Sequence, residues 1–299
     1  MLLALSENGT IRGWMETSPT ADRLTSRFVA GNSIAQELAV IERLAKDRIL
    51  ATVDYLGEGV KSVEEAAKTR DTYCAILDRI ADLHVGATIS IKLTQFGLAI
   101  SSDLCRDNVE PLVARAKELG TRVEIDMEQS EYVDRTLEIV STMHARHASV
   151  RAVIQAYLRR SEKDVECLCR ENIPIRLCKG AYKEPGSAAF QKKTEVDANY
   201  IRLMHQILDR GADPAIATHD EKMVAEALGT VKARKLTPDR FEFQMLYGIR
   251  RDLQRRIVDE GYRLRLYVPY GEAWYPYFMR RLAERPANLM FLMRNLFRH

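Results

Sequence analysis

Near its carboxyl end the chain reads GEAWYPYFMRRLAERPAN, in which Tyr277, Arg280, Arg281 and Glu284 are spaced i, i+3, i+4 and i+7. On a helix that spacing gathers all four on one face. Two adjacent guanidinium forks beside an aromatic ring suit a carboxylate ligand, with Glu284 in reach to hold one arginine in place. The same face could equally be a solvated helix surface. Trp274, Phe278 and Leu282 form an apolar stripe on another side, suited to packing on a core. Which reading holds depends on whether this helix lies across the mouth of the structure beneath it.

A second set of polar residues recurs at the ends of short apolar runs. Asp54 ends ILATVD, Lys92 lies in ISIKL, Asp126 ends RVEID and Gln155 lies in AVIQA. Arg176 and Lys179 lie in IRLCKG, and Thr218, His219 and Asp220 follow AIA. Gln244 lies in FEFQML, and Tyr267 and Tyr270 lie in RLYVPY. A single Asp or Gln at such a place is ordinarily a turn residue. Lys92 and Arg176 differ, because they interrupt runs expected to be buried on both faces. A buried unpaired charge is costly, so each is either ligand-bound or paired internally, Asp126 being the candidate partner.

The runs that must position these groups number eight: Ile49–Val53, Ala87–Leu93, Arg122–Ile125, Ala152–Ala156, Ile173–Cys178, Pro214–Ala217, Phe241–Leu246 and Arg263–Val268. Between them lie segments long enough for crossover helices, such as Ser62–Leu83 and Glu195–Arg210. Eight alternating units are the number at which a parallel sheet closes, so the predicted fold is an α/β (βα)8 barrel of the TIM type. A doubly wound open sheet is the competitor, but its G-x-G-x-x-G string is absent. Residues 1–48 are predicted to form a helical arm, with Ile34, Leu38, Ile41 and Leu44 on one stripe of a helix over Ser33–Lys46. Residues 49–299 form the barrel, with the final helix over its mouth. Asp103 and Asn108 are candidate helix caps.

Composition narrows the function. The charges nearly balance, 45 basic against 42 acidic residues for a net +3, which does not point to a nucleic-acid partner. Five cysteines form an odd set without zinc spacing, and His144 and His147 sit among Arg and Ser, so no metal site is expected. No apolar stretch reaches the roughly 18 residues of a membrane span. The first thirty residues lack a signal-peptide pattern. The expectation is a cytoplasmic enzyme.

Several of these segments together resemble one family. RLCKGAYKE (Arg176–Glu184), IKLTQFG (Ile91–Gly97), EIDME (Glu124–Glu128), FEFQMLYG (Phe241–Gly248) and the run from RLYVPYG to FMRRLAERPAN (Arg263–Asn288) are similar to bacterial monofunctional proline dehydrogenases. They also resemble the corresponding domain of bifunctional proline utilisation enzymes. RFVAG (Arg27–Gly31) resembles the family's entry to the barrel. The resemblance implies a distorted (βα)8 barrel with non-covalent FAD over the strand ends, and oxidation of L-proline to Δ1-pyrroline-5-carboxylate by hydride transfer to flavin N5. It implies electron delivery to a membrane quinone, transient contact with a pyrroline-5-carboxylate dehydrogenase, and attachment at the inner face of the cell membrane. On matching positions, Arg280 and Arg281 bind the substrate carboxylate, Lys92 and Asp126 line the pocket, and Leu246, Tyr267 and Tyr277 wall the pyrrolidine ring. Arg176 lies near the reactive edge of the flavin, so Asp126 and Arg176 are the candidate catalytic pair. Met127, Gln155, Lys179, Gly180, Ala181, Thr218 and His219 contact FAD. Cys178 stands where the family often has valine and is expected to pack. A pocket rich in Lys92, Arg176, Arg280 and Arg281 should disfavour prolinium and so favour the reactive neutral amine. Two alternatives stand beside this reading: a Schiff-base aldolase on the same fold using Lys92 or Lys179, and a non-catalytic amino-acid-binding barrel.

Overall fold

Each predicted run alternates side chains that face the barrel axis with side chains that face outward. On the strand Val123–Asp126, Val123 and Ile125 join the surrounding hydrophobic core, whereas Glu124 and Asp126 meet side chains from the far strands. The computed structural model describes residues 25–57 and 59–283, the last four of these by backbone alone. Its strands are β1 (Leu50–Tyr55), β2 (Ala87–Lys92), β3 (Val123–Asp126), β4 (Val150–Gln155), β5 (Ile175–Cys178), β6 (Ala215–Ala217), β7 (Glu242–Leu246) and β8 (Leu264–Tyr270). They pair in sequence order and in parallel, and β8 closes on β1. The barrel is the one read from the runs, with ends moved by at most two residues.

Among the described residues the helices are α1 (Ile34–Lys46), α2 (Val63–Asp82), α3 (Ser102–Glu118), α4 (Val133–His147), α5 (Ser161–Arg170), α6 (Lys193–Arg210), α7 (Glu221–Ala233), α8 (Arg251–Asp259) and α9 (Trp274–Ala283). Ser33 caps α1 in a capping box with Gln36, and Ser62 caps α2. At α3 the cap is Ser101, whose hydroxyl accepts from the Asp103 and Leu104 amides. Asp103 instead lies in the first turn, where its charge suits the helix dipole, and Asn108 lies mid-helix, donating to the Leu104 carbonyl. Neither is the cap that the sequence suggested. No described helix is long and apolar enough to cross a membrane.

Two departures from a regular barrel prepare the site. Helix α1 packs on β1, β8 and α2, covering the outer flank that a helix following β8 would ordinarily take. The chain after β8 is therefore free to turn over the carboxyl ends of the strands. There α9 forms a second core in which Trp274, Tyr275, Tyr277, Phe278 and Met279 pack with Phe28, Val29, Leu56 and Ile249. The stretch before α1 is stitched to the end of β8, with the Ala30 amide donating to the Pro269 carbonyl and the Gly271 amide to the Gly31 carbonyl, both at 2.9 Å. Gly248, at φ +76°, carries the turn after β7 beneath that stretch. A Cβ there would meet the Arg27 carbonyl oxygen at 1.6 Å.

Candidate active site

At the carboxyl end of the barrel four charged side chains and a phenol share one hydrogen-bonded cluster. Lys92 Nζ donates to Asp54 Oδ1 at 3.1 Å and to Tyr267 Oη at 3.4 Å, and stands 3.8 Å from Asp126 Oδ2. Tyr267 Oη donates in turn to Asp126 Oδ2 at 2.9 Å. Arg176 Nη2 pairs with Asp126 Oδ1, and the Ser90 hydroxyl bridges the two, accepting from Arg176 and donating to Asp126 at 2.9 Å each. The guanidinium carbon lies 5.4 Å from the centre of the Tyr267 ring, within cation–π range. Burial opposes the charges of Lys92 and Arg176, yet carboxylates outweigh it, Asp54 and Asp126 for the lysine and Asp126 and Glu124 for the arginine. Both are thus held as cations above their ordinary ranges. Burial and Asp126 keep the Tyr267 phenol protonated. The pairing that the sequence left open is present for both: they share Asp126, Lys92 standing closer to Asp54 and Arg176 also holding Glu124.

Below this layer the barrel interior holds a further ionic network, which the strand-end reading missed. Glu124 accepts from Arg151 Nη1 at 3.1 Å and pairs with Arg176 Nη1 at 2.9 Å. Glu242 pairs with Arg151 at 2.5 Å and with Arg265 at 2.9 Å. Gln244 donates to both glutamates and accepts from Arg176. Arg151 reaches on to Asp213 at 2.6 Å, which Arg122 and Arg263 also hold. Counting Lys92, Arg151, Arg176 and Arg265 against Asp54, Asp126, Glu124 and Glu242, the interior is electrically balanced. The available signal was period-two alternation: a charge at every second position of VEID and RLRL marks an inward face.

The rim of β4 to β6 holds the other candidates. Gln155 is buried and braces two loops, its amide donating to the Glu128 carbonyl at 2.9 Å and its oxygen accepting from the Ala181 amide at 3.2 Å. Lys179 pairs with Asp197 at 2.5 Å and Asp220 at 2.9 Å, which hold its ammonium above the ordinary lysine range against the opposing effect of burial. Thr218 Oγ1 accepts from the Asp220 amide at 3.1 Å. His219 Nε2 accepts from the Leu246 amide at 2.7 Å, so the neutral ring carries its proton on Nδ1. Gly180 has φ +120°, and a Cβ there would strike the Tyr157 ring at 2.1 Å. Its freedom is thus used against a neighbouring side chain as well as for close backbone approach. Met127 is buried in the main core. Cys178 Sγ lies 3.5 Å from the Ile154 carbonyl, and burial pushes its thiol up to about 11, as a packing residue requires.

Over the mouth, Tyr277 is buried in the α9 cluster and Leu246 packs against it. The helix face bearing Tyr277 is therefore covered, which removes the solvated-surface reading for that residue. The side chains of Arg280 and Arg281, together with all of Glu284, lie outside the described residues. The described cluster offers paired cations, shared carboxylates and the Tyr267 ring beside them, a setting for a small zwitterion. Neither Lys92 nor Lys179 is depressed towards the neutral amine that a Schiff base needs, which counts against the aldolase.

Comparison with known proteins agrees with this architecture. The family model described as proline dehydrogenase matches residues 38–294. Proline dehydrogenase 2 of Bacillus subtilis strain 168 is 40% identical over 270 residues, which cover 90% of this chain and 89% of that protein. The proline dehydrogenase of Deinococcus radiodurans is 40% identical over 280 residues, covering 91% and 90%. Among solved structures, proline utilization A (PutA) from Bdellovibrio bacteriovorus inactivated by N-propargylglycine superposes with a TM-score of 0.84 at 27% identity. That match covers 92% of this chain and 34% of the other, so the chain corresponds to about a third of the larger protein.

Proposed function

The chain belongs to the proline dehydrogenase family, and from that premise we propose that it oxidises L-proline to Δ1-pyrroline-5-carboxylate with FAD bound over the strand ends. The observation that carries the reading is the balanced cluster of Lys92, Asp54, Asp126, Arg176 and Tyr267 at the carboxyl end of a barrel where Leu246, at the end of β7, packs against the aromatic cluster of α9. The rim residues fit a flavin dinucleotide. His219 Nε2 accepts from the Leu246 amide, and Lys179 and Lys193 pair with Asp197 and Asp220, the latter donating its amide to Thr218. Met127, Gln155, Lys179, Gly180, Ala181, Thr218 and His219 would hold it, with Arg176 at its reactive edge. A flavin held there would supply a two-electron acceptor for the hydride leaving C5 of proline, with a membrane quinone as the proposed onward acceptor at the membrane surface. The labile product suits handover to a pyrroline-5-carboxylate dehydrogenase. Anaerobic addition of L-proline to the purified flavoprotein is expected to bleach its visible flavin bands. Bands that persist would overturn proline as the substrate.

The residues divide the remaining work. Arg280 and Arg281 clamp the carboxylate and Glu284 orients one of them, since paired guanidinium forks match that group. Leu246, Tyr267 and Tyr277 wall the ring and exclude water. Hydride loss from C5 needs the nitrogen lone pair to form the C=N bond, so the reacting form is the neutral amine. The cationic excess inferred from Lys92 and Arg176 is offset in the structure by Asp54, Asp126 and Glu124. The clamp proposed for Arg280 and Arg281 would supply the remaining positive charge and meet the substrate carboxylate. Because the fraction of neutral amine grows about tenfold per pH unit below the amine pKa, kcat/KM is expected to climb between about pH 6 and about pH 9. A level profile in steady-state assays would contradict the neutral-amine requirement.

Tyr267 also sets specificity. Its hydroxyl is fixed between Lys92 and Asp126 and cannot swing aside without breaking both hydrogen bonds. A ring hydroxyl on the substrate would press on this wall, so kcat/KM for 4-hydroxyproline is expected to fall well below that for L-proline. Equal efficiencies would remove Tyr267 from the pocket wall.

A further inference from the structure

We propose that Glu124, one layer below the mouth, is the positioning residue that holds Arg176 in its working orientation; this rests on the assignment of Arg176 and Asp126 to the reaction. Glu124 and Asp126 are two residues apart on β3 and face the same side, so their carboxylates stand one above the other along the strand. The Arg176 guanidinium spans the pair, with Nη1 2.9 Å from Glu124 Oε2 and Nη2 on Asp126 Oδ1. Tying two nitrogens of a planar group to two points on one strand sets the plane of the group as well as its position.

Asp126 alone would not do this. It also receives Ser90 and Tyr267 and faces Lys92, and its side chain is 15% exposed whereas that of Glu124 is 0% exposed. Substrate arriving at the mouth will compete for Asp126. Glu124 lies beyond that competition and is itself immobilised, accepting from Thr88 Oγ1 at 3.2 Å, Arg151 Nη1 at 3.1 Å and Gln244 Nε2 at 3.2 Å. It therefore anchors the guanidinium from below while Asp126 exchanges partners above. A misplacement on the order of 1 Å at a reacting centre can lower the rate on the order of a hundredfold, so an anchor of this kind has kinetic weight.

The test compares two buried carboxylates of the same network in the FAD-loaded enzyme. Glu242 pairs with Arg151 and Arg265 and shares Arg151 Nη1 and Gln244 Nε2 with Glu124. Glu124→Gln and Glu242→Gln each remove one buried charge, and both are expected to lower the melting temperature. Only Glu124→Gln is expected to lower kcat, by on the order of 10- to 100-fold with KM little changed, and to displace the Arg176 guanidinium in a crystal structure. Glu124→Asp keeps the charge but retracts it, and is expected to show the same split in smaller degree should the glutamine variant fail to fold. An equal fall in kcat for the variants at 124 and 242, or an Arg176 left in place in both variants at 124, would overturn the proposal. The crystallographic readout is independent of substrate, so a wild-type enzyme that did not oxidise proline would refute the functional reading without deciding this one.

Discussion

Arg176→Met is expected to lower kcat/KM for L-proline by on the order of 10²- to 10³-fold, the scale on which a single preorganised donor at a reacting centre matters. The methionine roughly fills the side-chain volume but removes the cation that joins Glu124 to Asp126. Of the four charges at the mouth, Lys92, Asp54, Asp126 and Arg176, only one positive group would remain against two negative ones. That excess favours prolinium over the neutral amine and weakens the hold on the substrate carboxylate, and both effects oppose the reaction. The rising limb of the pH profile should consequently move to higher pH. A stability loss of about 3 kcal/mol should accompany it, at the low end for a broken buried pair, because Arg151 and Lys92 continue to face the two carboxylates. Steady-state kinetics across pH, with urea unfolding of the same samples, would check both parts. Wild-type kcat/KM in a folded variant would place Arg176 outside the chemistry.

The strands of this barrel were legible because parallel sheet buried on both faces leaves near-continuous apolar runs, and helix α1 because Ile34, Leu38, Ile41 and Leu44 share a stripe under a capping serine. The mouth residues were legible one by one, since Lys92 and Arg176 stand out in apolar runs. Asp126 was legible as a candidate partner of both, but Glu124 and Ser90 were not, because Ser90 lies 86 residues from Arg176 on another strand and Glu124 reads as part of an ordinary strand. The lower layers escaped notice for a related reason. Arg151 and Arg265 sit at the beginnings of their runs, where a charge reads as a strand boundary, and only barrel closure turns them towards Glu124 and Glu242. The place of α9 was undetermined by periodicity, because the same face suits solvent or a ligand. Phe28, Val29, Leu56 and Ile249 decide it by providing an apolar seat above the strand ends. Helix α1 contributes by occupying the flank beside β8.

Arg151→Met is expected to give the larger stability loss, about 3–5 kcal/mol, because it strips the common partner from three carboxylates at a position with no solvent to compensate. Arg151 is 0% exposed. Asp213 would keep Arg122 and Arg263, Glu242 would keep Arg265, and Glu124 would keep Arg176. The fold should therefore survive at neutral pH while unfolding at lower urea. The pH dependence identifies the cause. Burial opposes the charges of Glu124 and Glu242, but Arg151, Arg176 and Arg265 for the first, and Arg265 and Arg151 for the second, hold both below the ordinary glutamate range. Groups depressed in the folded state contribute stability that is complete above the unfolded value of about 4.3 and is lost as pH falls through the folded values. Removing Arg151 diminishes that contribution, so the gap between wild type and variant should be full at pH 7. It should narrow below about pH 4, where protonated glutamates no longer need the arginine. A gap of the same size at neutral and acid pH would mean that the variant had lost packing alone, and that the charged column is a passenger in the stability of the barrel.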